Sequence, residues 1–152
     1  MRPSVFLLPA GAGLVGLATG MGMALASLGD CVPMLGELFA RSSLEGRRFE
    51  VGWHIGALAL AATLSAFSVR VLRGGGIARV AQMFHVFALW VAALALPTLL
   101  LVEHANNLSG GECVAHVSPA VLMLFCAALL ASVIGCVGLV VVSASMRPRA
   151  SA

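Results

Sequence analysis

Apolar residues fill four long blocks of this chain, 5–28, 51–69, 80–102 and 117–142, and almost every charge falls between them. Each block approaches or exceeds the roughly 20 residues that carry a helix across a bilayer. Strands of a membrane barrel would instead alternate over short segments, and these blocks do not. The pattern predicts an all-α fold: a four-transmembrane-helix bundle forming a single domain over residues 1–152, with both termini on the same side.

Composition agrees with this reading. The chain is 61% hydrophobic and 10% charged, with a mean hydropathy of +1.05, more apolar surface than a soluble domain of 152 residues can hide. It is therefore expected to be an integral, multi-pass membrane protein whose first partner is the lipid bilayer. The formal charge of +3 would point a soluble protein toward acidic partners, but its distribution matters more here. Arg2, Arg70, Arg73, Arg79, Arg147 and Arg149 fall on the side of the termini. Arg41, Arg47 and Arg48 fall on the other side with all six acidic residues. The excess of arginine places both termini in the cytoplasm. No nucleic-acid module and no phosphate-binding loop is present; Arg73-Gly74-Gly75-Gly76 lacks the preceding strand and the following Lys-Ser/Thr that such a loop needs.

Arg2 ahead of an apolar run, with Ala24-Leu25-Ala26 near its end, has the outline of a cleavable signal peptide. The run is long for one, and we read it as a retained first helix. Ala12, Gly16, Gly20 and Ala24 recur every fourth residue and form a ridge of small side chains that lets another helix approach closely. Packing inside the bundle is the expected use; a helix–helix oligomer or a larger membrane complex is the alternative. Ala57, Ala61 and Ser65 repeat the spacing in the second helix, as do Ala128, Ser132 and Cys136, or Ala131 and Gly135, in the fourth. Cys126 and Cys136 read as inert thiols in apolar packing.

Between the first two helices, 34–41 is amphipathic, with Glu37 and Arg41 spaced i,i+4, and is expected to lie on the membrane surface. Cys31 and Cys113 are the only cysteines of the outer loops, a candidate disulfide in an oxidising compartment. Asn107-Leu108-Ser109 is a glycosylation acceptor that lies too near the bilayer to be expected in use. In the third helix Gln82 and His85 stand one turn apart, expected to be paired with each other or with a backbone carbonyl.

The segment 93–113 holds most of the interpretable chemistry. Pro97 cannot donate to the carbonyl of Ala93 and so loosens the helix where a polar site can form. Glu103, His104, Asn106 and Asn107 follow as the chain leaves the hydrocarbon, and Trp53 and His54 stand at the matching end of the second helix. His54, His104 and His116 share the outer end, but no two histidines have the i,i+4 spacing of a zinc helix. Bis-histidine haem would need two facing histidines at one depth, and His85 lies at the opposite end. A CxxC motif is missing as well. No metal is expected.

These motifs resemble a family of small four-helix membrane proteins typified by fungal anthrone oxygenases. The likeness rests on Pro97-Thr98-Leu99-Leu100-Leu101-Val102 followed by Asn106-Asn107-Leu108, on Gly20 through Ser27 with Pro33-Met34-Leu35, and on Trp53 with Gly56. It covers the first three helices; ahead of the fourth, His116-Val117-Ser118-Pro119 stands where the family has a Trp- and Arg-containing approach. The resemblance implies cofactor-independent oxidation of an anthrone-type polycycle by dioxygen. That chemistry needs an apolar slot, a base and a hydrogen-bond donor for the developing oxyanion. His104 or His54 would be the base and Asn106 or Asn107 the donor. Trp53, Pro97 and Thr98 would bind substrate. The competing class is a non-enzymatic tetraspan scaffold; a transporter ranks below both, since only Thr63, Ser65, Gln82 and His85 are polar in mid-membrane.

Overall fold

A computed structural model describes residues 4–71 and 76–145, with the side chains of 4–6, 49 and 50 excepted. Arg2, Arg73, Gly74, Gly75, Arg147 and Arg149 lie outside the described residues. The elements in order are α1 (Ser4–Leu28), a 3-10 segment (Gly29–Met34), α2 (Leu35–Arg41), α3 (Leu44–Val71), α4 (Ile77–Ser109) and α5 (Pro119–Ser145). Four of them, α1, α3, α4 and α5, are long and apolar enough to cross a membrane.

The helices are longer than the apolar blocks that announce them. α4 has 33 residues, about 50 Å at 1.5 Å per residue against a hydrocarbon core of about 30 Å. Its outer turns continue as helix past Glu103 and end only where Gly110, at φ 60, takes the left-handed conformation that closes a helix C-terminus. α3 likewise starts at Leu44, well before the first apolar run of its span. Pro97 does not break α4, which runs through it. Ser118 caps α5, accepting a hydrogen bond from Val121 N–H, and Pro119 takes the first helical position, where no N–H is needed.

α4 is the hub. Over its most apolar stretch it is 56% buried, against 11% for α3 and 22% for α5, so the other three long helices are arranged around it. α1 approaches it most closely, through glycines. A Cβ at Gly16 would stand 2.6 Å from the carbonyl oxygen of Phe87, and one at Gly20 would stand 2.7 Å from the Leu94 side chain. The small-residue ridge of α1 is therefore used inside the bundle. α3 and α5 each pack on α4 but scarcely meet each other, which leaves a groove between them.

A cap closes the end of the bundle opposite the termini, over α1 and α4. Cys31 and Cys113 form a disulfide with their Cα atoms 5.0 Å apart. His116 N–H donates to the Ser27 carbonyl at 2.8 Å. Gly29 has φ +51, and a Cβ there would come within 2.8 Å of the Val114 carbonyl oxygen, so only glycine fits this crossing. Arg41 pairs with Glu112 at 3.0 Å and more loosely with Glu37 at 4.0 Å. The expectation that 34–41 lies on the membrane is corrected: Leu38 is buried in a cluster with Leu28, Val102 and Ala105, so α2 rests on the protein.

Candidate functional site

The groove between α3 and α5 is a cleft of about 830 Å³. Its floor is α4 from Leu89 to Pro97, about 12 Å along the helix axis. Its walls are Gly52, Trp53, Gly56, Ala57, Leu60, Ala61 and Leu64 of α3, and Leu129, Ser132, Val133, Cys136 and Val137 of α5. The space exists because α3 and the floor meet it with Gly and Ala. Leu60, Leu129, Val133 and Val137 on the walls are largely exposed, so the cleft opens sideways, toward lipid in a membrane. Ala57 and Ala61 line the cleft, and Ala61, 2% exposed, is also buried where α3 packs on α4; Cys136 lines the cleft too, and Cys126 is exposed. The Ser132 hydroxyl is turned back onto the Leu129 carbonyl, which leaves the walls almost wholly apolar.

At the capped end a second pocket of about 240 Å³, called the polar pocket for the side chains it gathers, is lined by Gly46, Trp53 and His54 of α3 and by Pro97, Leu100, Glu103, His104 and Asn107 of α4. Two imidazoles, a carboxylate and an amide converge there from the helical turns that extend past the apolar blocks. Trp53 and Pro97 line both spaces, so the apolar cleft and the polar pocket are neighbours across one wall. Imidazole takes or gives a proton near neutral pH, an amide N–H stabilises a developing oxyanion, and a carboxylate beside an imidazole fixes its orientation.

The residues singled out from the sequence divide accordingly. His54, His104, Asn107, Trp53 and Pro97 are brought together. Asn106 is not: its Nδ2 donates to the Ala115 carbonyl at 2.6 Å and its Oδ1 accepts from Ala115 N–H at 3.1 Å. Both ends of that amide pin the loop ahead of α5. Thr98 is also elsewhere, 2% exposed, with its hydroxyl donated to the Leu94 carbonyl one turn back. His116 is exposed in the cap and lines neither space.

Gly46, Leu100 and Glu103 were not among the expected site residues. The signal for two of them was present: Pro97, Leu100, His104 and Asn107 recur at three and four residues, one stripe of a helix, and Glu103 borders it. The same stripe selects Asn107 over Asn106.

Toward the other end, His85 and Gln82 are 5% and 4% exposed. Among the described residues neither His85 nitrogen nor Gln82 Nε2 has a hydrogen-bond partner, which corrects the expected pairing. The His85 ring lies against α5 at Gly135, where a Cβ would stand 1.9 Å from Nδ1. Among the described residues no three His, Cys, Asp or Glu side chains are grouped to hold a metal ion. Compared with known proteins, the chain matches no family model, no curated protein and no solved structure.

Proposed function

We propose that this chain is a membrane oxygenase that acts without a cofactor on a flat, apolar substrate carrying an acidic C–H bond, of the anthrone type. The observation that supports this most is the wall shared by the two spaces, Trp53 and Pro97. A polycycle lying in the cleft against Trp53 would present its edge to the imidazoles and amide of the pocket. The motif resemblance of the first three helices supplies the reaction class.

His54 or His104 takes a proton from the methylene carbon. The resulting carbanion, whose charge is delocalised onto the conjugated oxygen, is held in that oxyanion resonance form by the Asn107 amide, and Glu103 orients an imidazole. Dioxygen is the oxidant: it adds to the carbanion to give a peroxide anion, which the imidazolium protonates. Loss of the second C–H proton and of hydroxide then yields the ketone, so CH2 and O2 become C=O and H2O.

The pocket lies at the end of the molecule that holds the Cys31–Cys113 disulfide. It faces an oxidising compartment, with both termini in the cytoplasm, as the arginine distribution also favours. The scaffold reading loses one support, since the Gly16 and Gly20 ridge is occupied by α4. Membranes carrying the wild-type chain should speed the air oxidation of emodin anthrone, and the His54→Ala, His104→Ala double variant should not. Equal rates with wild-type, variant and empty membranes reject the proposal.

A further inference from the structure

Among the described residues that line the cleft, Arg48 alone is charged, and it forms no ion pair with any described residue, whereas Arg41 has both Glu37 and Glu112. It stands on the outer turns of α3, ahead of the apolar run, at the rim rather than in the depth of the cleft. Gly52 and Gly56 follow it at i+4 and i+8, and a Cβ built at either meets nothing within 4 Å. This face of α3 is therefore an open strip that leads from a guanidinium down into an apolar slot.

Arginine on such a rim has its fork of donors available to a planar acid, and a carboxylate matches that fork with two parallel hydrogen bonds. An apolar slot alone would select any greasy molecule. A cation at its rim selects one with an acidic end and fixes which end points outward. Trp53, in the next turn but one from Arg48, borders the polar pocket as well, so a ligand anchored at Arg48 lies along the shared wall.

We infer that the ligand of this cleft is a carboxylate-bearing apolar polycycle, anchored through its acid by Arg48 with its rings on the Gly52–Gly56 strip. This rests on the reading of the cleft as the substrate site and adds the ligand's charge and orientation to it.

The test uses the full chain in nanodiscs and two fluorescent probes with the same ring system, 9-anthracenecarboxylic acid and 9-anthracenemethanol. Wild type is expected to bind the acid more tightly than the alcohol by about tenfold, the increment of one charge-assisted hydrogen bond. Arg48→Gln should erase that preference while binding the alcohol as wild type does, which also shows that the variant is folded, and Arg48→Lys should retain part of it. If the acid-to-alcohol ratio is the same in wild type and Arg48→Gln, Arg48 is an interfacial anchor only and the inference falls while the cleft reading stands. Failure of wild type to bind either probe overturns both.

Discussion

Trp53 of α3 and Pro97 of α4 form a single wall with the apolar cleft on one side and the polar pocket on the other. Neither residue does this by its own chemistry. Pro97 lies in mid-helix where its missing N–H leaves a weak point in the ladder, and Trp53, 42% exposed, covers that region from the neighbouring helix. The arrangement assigns different work to residues that look alike in sequence.

The two adjacent asparagines make the clearest case. Asn106→Ala leaves the N–H and carbonyl of Ala115 without partners and should lower stability by about 2–3 kcal/mol, with turnover per folded molecule nearly unchanged. Asn107→Ala should leave the melting temperature within about a degree or two and cut turnover. Thermal unfolding and anthrone oxidation measured on the same two preparations check the split.

Gly16 and Gly22 form a second matched pair. A methyl group at Gly16 would press on the Phe87 backbone, whereas one at Gly22 meets nothing within 4 Å. Gly16→Ala is expected to destabilise by about 1–3 kcal/mol through overpacking. Gly22→Ala should be neutral or stabilising by up to about 1 kcal/mol, from helix propensity alone. Unfolding in mixed micelles reads both.

Removal of the Cys31–Cys113 link, which joins positions 82 residues apart, should cost about 2–5 kcal/mol and loosen the cap that His116 and Asn106 help to hold. Intact mass under non-reducing and reducing conditions should differ by two hydrogens before alkylation. A free-thiol count of four without reduction contradicts the link.

Four apolar blocks were enough to reveal four helices long and apolar enough to cross a membrane, because length and hydropathy alone decide that question. The same reading stopped α4 near residue 102 and began α3 near 51, since charged turns carried on a protein surface are helical without being apolar. Those turns bring Gly46, Glu103, His104 and Asn107 to the pocket. The meeting of His54 with His104 was an expectation from shared depth; the partner faces are a tertiary fact that no local spacing contains. The cleft was harder still. Ala57 and Ala61 carry the same spacing whether a helix fills the groove beside them or leaves it open, and only the separation of α3 from α5 decides between the two. His85 misled for a related reason: its neighbour across the interface is Gly135, whose missing side chain makes room for the ring and offers it no hydrogen bond.

The most direct test of one site built from two spaces is to fill the cleft and leave the pocket untouched. Gly56 lines the cleft, and a Cβ there meets nothing within 4 Å, so the side chain of Gly56→Trp starts into open space and its indole can fill the cleft. Initial rates of emodin anthrone oxidation, compared between this variant and wild type at equal helix content and intact disulfide, should fall by at least about a hundredfold, as expected when a substrate can no longer lie in register with the acid–base groups. A variant that oxidises anthrone as fast as wild type would contradict the account.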